Sequence, residues 1–220
     1  MAHAKLSPSG AHRWMRCFGS VVLEARYPDR GSAYAREGSA AHELAAIVLE
    51  GDEANAQGYD GMKVEFEDGK ETVQWLVTQD MADHVDDYVK LVRERAQGKT
   101  LFVECRLPIG HITGEAGATG TSDVVILDHA NKTIEVIDLK FGMGVRVNAE
   151  DNEQTQMYAL GALEEYGILG DFDHIAMLIH QPRLNHVSEW VIPVDQLREF
   201  EQRQTSPRQS ATLHPQQTVA

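Results

Sequence analysis

The stretch Gly120–Lys140, GTSDVVILDHANKTIEVIDLK, places two aspartates and a lysine at the ends of two apolar runs. The runs are rich in Val and Ile and flank Asp128-His129-Ala130-Asn131-Lys132, a cluster of turn-forming residues, so they predict an antiparallel β-hairpin. With Ala130 and Asn131 at the tip, residues whose numbers sum to 261 face each other: Val125 meets Val136, Leu127 meets Ile134, and Asp123 meets Asp138. Lys140 lies two residues past Asp138 and therefore points to the same face. Two carboxylates opposite one another on an apolar face repel and are costly to desolvate. A divalent cation with oxygen ligands placed between them removes both costs, and the pattern points to a metal site. The same residues also suit a hairpin whose ends reach solvent, with Asp123 capping a turn and Asp138 paired to Lys140. A one-residue slip of the turn would undo the juxtaposition.

Two further groups could serve such a site. A helix is predicted from about Ser39, its N-cap, to Glu50, with Gly51 as the stop, which puts His42 and Glu43 in its first turn. The small neighbours Ala40, Ala41, Ala45 and Ala46 let that helix approach another element closely. A neutral imidazole is a good metal ligand, and a helix N-terminus disfavours its charged form. An isolated histidine more often caps or packs, and Glu43 is an ordinary first-turn acid; the second His of a zinc-protease H-E-x-x-H is absent. In a later helix, about Asp151 to Tyr166 with Gly167 as the stop, Gln154 and Tyr158 are spaced i, i+4 on one face, while Gln156 lies on another. That amide and phenol either reach a lysine or phosphate beside the hairpin or mark the edge of an amphipathic helix.

The remaining elements position these groups. Leu6-Ser7-Pro8-Ser9 starts a short helix carrying Trp14 and Cys17, with Ser7 as N-cap. Residues 26–38 and 52–70 are expected to be loops, and a long amphipathic helix is expected from about Glu71 to Arg95, with Trp75, Met81, Val85, Tyr88 or Val89, and Val92 on its core face. Strands follow at Leu101–Leu107, in the hairpin, and at about Ile175–His180 and Val187–Ile192. The Gly-rich stretch before the hairpin lacks the Gly-Lys-Ser/Thr ending of a nucleotide-binding P-loop. The order describes an α/β sheet with helices packed on it. Residues 1–200 are expected to form a single domain, and the polar tail 201–220 is expected to be disordered.

Composition narrows the function. With 20 Lys plus Arg against 34 Asp plus Glu, the formal charge is −14, so nucleic-acid contact would have to be local, metal-assisted or helped by a partner. Two cysteines, Cys17 and Cys105, form no disulfide or zinc pattern and suit a reduced interior, with Cys105 a buried core thiol. No apolar run approaches a membrane span and the first residues lack a signal-peptide core, so a soluble, cytosolic protein is expected.

Taken together, the set resembles the PD-(D/E)XK nuclease superfamily, specifically its RecB-like branch. Gly38-x-x-x-His42-Glu43, Gly120-x-x-Asp123, Asp138-Leu139-Lys140 and Gln154-x-x-x-Tyr158 are similar to that branch's motifs, and Leu6-Ser7-Pro8-Ser9 with Cys17 resembles its N-terminal helix. The match spans roughly residues 5–195, and Gln181-Pro182-Arg183 is similar to a phage-encoded subgroup long left as a domain of unknown function. The resemblance implies a restriction-endonuclease-like central mixed β-sheet flanked by helices. It also implies a DNA nuclease, an exonuclease in phage-type recombination or repair in the host cytosol, whose partners are DNA and either further copies of the chain or a recombination protein.

Its implied metal ligands are His42, Asp123, Asp138 and the Leu139 backbone carbonyl, with Glu43 as a further candidate, holding Mg2+ or Mn2+; the nitrogen ligand favours Mn2+. Lys140 would orient the attacking water or offset transition-state charge, with Gln154 and Tyr158 positioning it. Arg146, Lys132 and Arg183 are candidate phosphate contacts or ordinary surface charges. Several RecB-like nucleases hold an iron–sulfur cluster by one N-terminal and three C-terminal cysteines; Cys17 matches the first, but no cysteine follows Cys105, so no cluster is expected. Two other functions also suit these residues: an inactive nuclease-fold module gripping DNA ends or a partner protein, and a metal-dependent hydrolase of a small phosphorylated substrate.

Overall fold

A computed structural model of the protein describes residues 4–17, 19–27, 32–51, 54–69 and 71–212, with side chains described as far as Thr205. In chain order its helices are α1 (Ala11–Trp14), α2 (Gly19–Glu24), α3 (Ala33–Glu50), α4 (Gln79–Arg95), α5 (Gly110–Thr113), α6 (Glu153–Tyr166) and α7 (Val194–Thr212). Its strands are β1 (Lys63–Asp68), β2 (Glu71–Leu76), β3 (Thr100–Pro108), β4 (Thr119–Asp128), β5 (Thr133–Leu139), β6 (His174–Gln181) and β7 (His186–Pro193).

The hairpin β4–β5 forms in the expected register, Val125 facing Val136 and Leu127 facing Ile134. Its turn fixes that register. Asp128 Oδ1 accepts the Asn131 N–H at 2.9 Å, Oδ2 accepts the Asn131 side-chain amide at 2.8 Å, and the Lys99 ammonium lies 2.9 Å from the same carboxylate. Against burial, which would raise it, these contacts hold the Asp128 carboxyl down at about 2. Around the hairpin, β3 pairs antiparallel with β4, β6 lies parallel to β5, and β7 closes the far edge, giving the order β3-β4-β5-β6-β7. The parallel pair requires a crossover, which α6 supplies. The result is a mixed α/β fold: a five-stranded mixed sheet flanked by helices on both faces.

On one face, α3, α4 and the β1–β2 hairpin cover Val124, Ile126, Ile137, Leu139 and Leu178. On the other, α1, α6 and α7 cover Cys105, Leu107, Val125, Leu127, Ile134, Val136 and Met177. Central strands covered on both faces are buried at successive positions rather than alternate ones, which is the pattern of β5 and β6.

Three expectations are corrected. α3 begins at Ala33, not near Ser39: Ser32 is the N-cap, its Oγ accepting the Ala35 N–H at 3.1 Å, and Ser39 donates to the Ala35 carbonyl inside the helix. Ala33, Ala35, Arg36 and Glu37 are good helix formers that carry the helix through Gly38. His42 is therefore the tenth residue of an 18-residue helix and gains nothing from its N-terminus. Within the expected loop 26–38, residues 28–31 lie outside the described residues.

Residues 63–76 form an antiparallel hairpin instead of loop and helix, and α4 starts only at Gln79, capped by Thr78. Val64 and Phe66 alternate with charged residues and bury their side chains on α3, a period of two that a helix cannot satisfy. Lastly, α7 continues through residues 201–212, where Gln, Glu and Arg favour helix; residues 213–220 lie outside the described residues.

Packing between layers is close where α6 crosses β3. A Cβ on Gly161 would lie 2.9 Å from Leu107 Cβ and 3.0 Å from the Pro108 carbonyl oxygen, whereas a Cβ on Gly38 of α3 would meet nothing within 4 Å. Opposite outcomes follow for the same substitution. Gly161→Ala should lower stability by about 1–3 kcal/mol through overpacking, and Gly38→Ala should raise it by about 0.5–1 kcal/mol through helix propensity. Urea unfolding of both variants measures the two signs.

Candidate functional site

The alternation of the sheet breaks along one row. In β3, Leu101 faces the α3–α4 layer and Phe102 the α6 layer, yet beyond Glu104 it is Cys105 and Leu107 that face α6. In β4, Val125 and Leu127 face α6, while at the start of the strand Gly120 lies against Tyr158 of α6. The ladder joins Val103 to Val124 and Cys105 to Ser122 and omits Glu104 and Asp123 between them; Glu104 has φ +47°, a conformation that side chains other than glycine seldom adopt. The two strands change phase together, and the shift turns Glu104 and Asp123 toward α3.

Asp123 thereby comes to join two layers. Its Oδ1 lies 2.9 Å from His42 Nδ1 of α3, and its Oδ2 accepts the Leu139 N–H at 2.7 Å. The β4–β5 ladder ends at Val124 and Ile137, so the expected facing of Asp123 and Asp138 falls where strand pairing stops. Asp138 keeps to the α6 side. Its Oδ1 lies 3.3 Å from the Lys140 ammonium and accepts from the Gln154 amide at 3.1 Å. Lys140 also donates to Gln154 Oε1 at 2.8 Å, and Gln154 Nε2 reaches the Tyr158 hydroxyl at 3.3 Å. Gln154 is fixed because Asn152 caps α6 and places it in the first turn. Gly120 is fixed by space: a Cβ there would lie 2.7 Å from Pro8 Cγ and 3.2 Å from the Tyr158 ring.

The carboxylates differ in charge state. Burial alone would depress the His42 imidazolium, but the charge and hydrogen bond of Asp123, with help from Asp138, raise it to about 9. The helix N-terminus expected to favour a neutral imidazole is absent here, because His42 lies in the middle of α3. Burial pushes the Asp123 carboxyl up, yet His42⁺, the Leu139 N–H and Lys140 outweigh it and hold the group below the usual range. Asp138 is raised by burial; Lys140 opposes and the Asp123 charge reinforces that shift. Glu104, an exposed residue at the wall of the cavity, is raised to about 7, by desolvation first and then by Asp123, against His42.

These donors fit a hard divalent cation. Nitrogen and oxygen atoms of His42, Glu104 and Asp123 lie within 4.8 Å of one another, and these residues line a cavity together with Tyr88 and Leu139. The cavity offers about 10 Å³ to the centre of a water-sized sphere, room for one water or ion. Asp138 Oδ2, in a side chain only 3 % exposed, sits 3.0 Å from Lys140 Nζ without hydrogen-bond geometry and accepts no hydrogen bond.

Glu104 had no local signal in the sequence. Facing pairs in β3–β4 sum to 227, which sets Glu104 opposite Asp123, but the connection contains α5 and hides the tip. Glu43 stands outside the cluster, with its carboxyl raised by burial and by Glu50. Gln156 stays with the Asn152 carbonyl. Arg183 is not a free phosphate contact: it pairs with Glu37 at 2.7 and 2.9 Å and with Asp80 at 2.8 Å, and it stacks 4.0 Å over Phe141. Gln181 accepts the Val147 N–H and donates to the Val145 carbonyl, so Gln181-Pro182-Arg183 holds the segment after Lys140. Lys132 pairs with Asp171 and Asp173 at the turn end of the hairpin, and Arg146 is exposed. Cys105 is buried, its thiol pushed up to about 11 by burial, and Cys17 is exposed.

The pH dependence has a definite sign. His42 is raised from 6.5 to about 9, so its contribution to stability is complete below pH 6.5 and is lost as pH rises through 9. Glu104 acts in the same direction between 4.5 and about 7. In EDTA the melting temperature should fall from pH 6 to pH 9, and His42→Gln should flatten that fall above pH 7. Saturating Mn2+ should reverse the slope, because the ligands bind it deprotonated. Single substitutions in EDTA should split as well: Asp123→Asn lowers the melting temperature, since the amide keeps one acceptor oxygen where the carboxylate uses two and loses the charge paired with His42, and Asp138→Asn does not.

Among the described residues, no helix is long and apolar enough to cross a membrane. A solved structure named "Crystal structure of SSO0001" is similar at 13 % identity, covering 88 % of this chain and 69 % of that one, with a TM-score of 0.30. The family model described as "Protein of unknown function (DUF2800)" matches residues 3–220, and the chain belongs to that family.

Proposed function

We propose that the chain is a metal-dependent deoxyribonuclease of the PD-(D/E)XK type, RecB-like in its motifs and restriction-endonuclease-like in its sheet. It hydrolyses phosphodiester bonds with Mg2+ or Mn2+ and works from DNA ends as an exonuclease in phage-type recombination or repair, within the host cytosol. The observation that carries this reading is the Lys140 ammonium, held 2.8 Å from Gln154 Oε1 and 3.0 Å from Asp138 Oδ2, next to the strand that presents Leu139 to the His42–Asp123 cavity.

A bound divalent ion supplies Lewis acidity and a water of lowered pKa. The chain's own groups do the rest. His42, Asp123 and Glu104 would hold the ion, with Asp138 and the Leu139 carbonyl the further ligands that the resemblance implies. Gln154 is oriented by donating to Asp138 and Tyr158, so its carbonyl oxygen is left to grip Lys140. That grip costs Lys140 little freedom on substrate binding. With 30 % of its side chain exposed, Lys140 can meet a phosphate oxygen or the attacking water as charge develops. The formal charge of −14 favours a second possibility, a nuclease-fold module that binds DNA ends or a partner protein without cutting.

Digestion of end-labelled linear and closed circular DNA, single- and double-stranded, with Mg2+, Mn2+ or EDTA, separates the two. The expected result is metal-dependent loss of linear substrate, with a drop of at least about 100-fold for Lys140→Ala and an unchanged fold by circular dichroism. Full activity in that variant removes the proposed role of Lys140, and no cleavage by the wild type under either metal favours the binding module.

A further inference from the structure

The cavity between His42, Glu104 and Asp123 has a fourth polar wall, which comes from α4. Tyr88 is 1 % exposed and lines that cavity. Its ring stacks on His180, with centroids 6.0 Å apart and planes 29° from parallel, which fixes the direction of the phenol. Its hydroxyl is buried and makes no hydrogen bond with any protein group. Buried tyrosine hydroxyls ordinarily find a partner, and one that lacks it beside a cluster of ligating atoms points to a bound species as the missing acceptor. A phenylalanine would fill the same place in the α4 core without that unpaired group.

We propose that Tyr88 is a positioning residue of the ion site, its O–H donating a hydrogen bond to the one water molecule for which the cavity has room, that water being bound in turn to a divalent cation held by His42, Asp123 and the exposed Glu104. The proposal rests on the metal-centre reading above and extends it. The cavity takes one water-sized sphere beside the ligating atoms of His42, Glu104 and Asp123; Tyr88 supplies a neutral donor to that water on the α4 side, where another carboxylate would add repulsion. Burial first, then the charges of Asp123, Asp138 and Glu104, keep the phenol protonated, so it acts only as a donor to an oxygen and not as a phenolate ligand. Outer contacts of this kind orient a bound water and raise metal affinity.

The test is Mn2+ binding to the full chain by titration calorimetry, for the wild type and for Tyr88→Phe, together with melting temperatures in EDTA. The expected result is an Mn2+ Kd weakened about 10-fold in Tyr88→Phe, with an EDTA melting temperature equal to or above that of the wild type because an unpaired hydroxyl has gone. An unchanged Kd overturns the role of Tyr88 while leaving the metal centre intact. A melting temperature lowered in EDTA overturns it too, since the hydroxyl would then have a structural partner. Absence of Mn2+ binding by the wild type overturns the metal centre itself, and this proposal with it.

Discussion

The hydrogen bonds of one carboxylate organise the site. Asp123 accepts from His42 of α3 through one oxygen and from the Leu139 backbone of β5 through the other, so a single side chain ties the helical layer to the centre of the sheet. It can do so because β3 and β4 change phase at Glu104 and Asp123. Without that shift, the alternation established by Val125 and Leu127 would send Asp123 to the α6 side, away from His42. The positive φ of Glu104 is the local cost of the shift. What it achieves is a division of labour: His42, Glu104 and Asp123 gather on the α3 side, and Asp138, Lys140, Gln154 and Tyr158 on the α6 side, with the backbone of Leu139 between them.

The electrostatics follow from this division. Asp123 and Asp138 do not face each other as equal, mutually repelling charges. Asp123 is matched by His42⁺ and a backbone N–H and titrates low, whereas Asp138 is buried with one oxygen free of hydrogen bonds and titrates high. The imbalance follows from the partners of each acid: the His42 imidazolium offsets the charge of Asp123, and burial leaves Asp138 the costlier group to ionise. Arg183, neutralised by Glu37 and Asp80, contributes rigidity to the segment after Lys140 rather than attraction for phosphate. Lys140, with 30 % of its side chain exposed, is the cation of the Asp138–Gln154 group.

Much of this was legible locally. The β4–β5 register could be worked out because Asp128 and Asn131 specify the turn between them, and a turn fixes every facing pair beyond it. The spacing of Gln154 and Tyr158 could be read because helical neighbours lie four residues apart. Other features were ambiguous even locally. Ser32 and Ser39 both suit an N-cap, and the difference moves His42 from the first turn to the middle of α3. Residues 63–76 carry an alternation masked by charged side chains, and it settles into strands because α3 offers Val64 and Phe66 a surface to bury against.

By itself, the sequence determined the elements whose signals are contained within a few residues: the hairpin and its register, α6 with its stop at Gly167, and the Asp-x-Lys pair that points to one face. Tertiary structure alone decided which layer each acid joins, that Glu104 meets His42 and Asp123 across separate elements, and that the Tyr88 hydroxyl ends beside them. Those juxtapositions depend on a phase change in paired strands and on the distance between packed layers. Both are set by burial summed over the whole sheet, so no short stretch of chain encodes them.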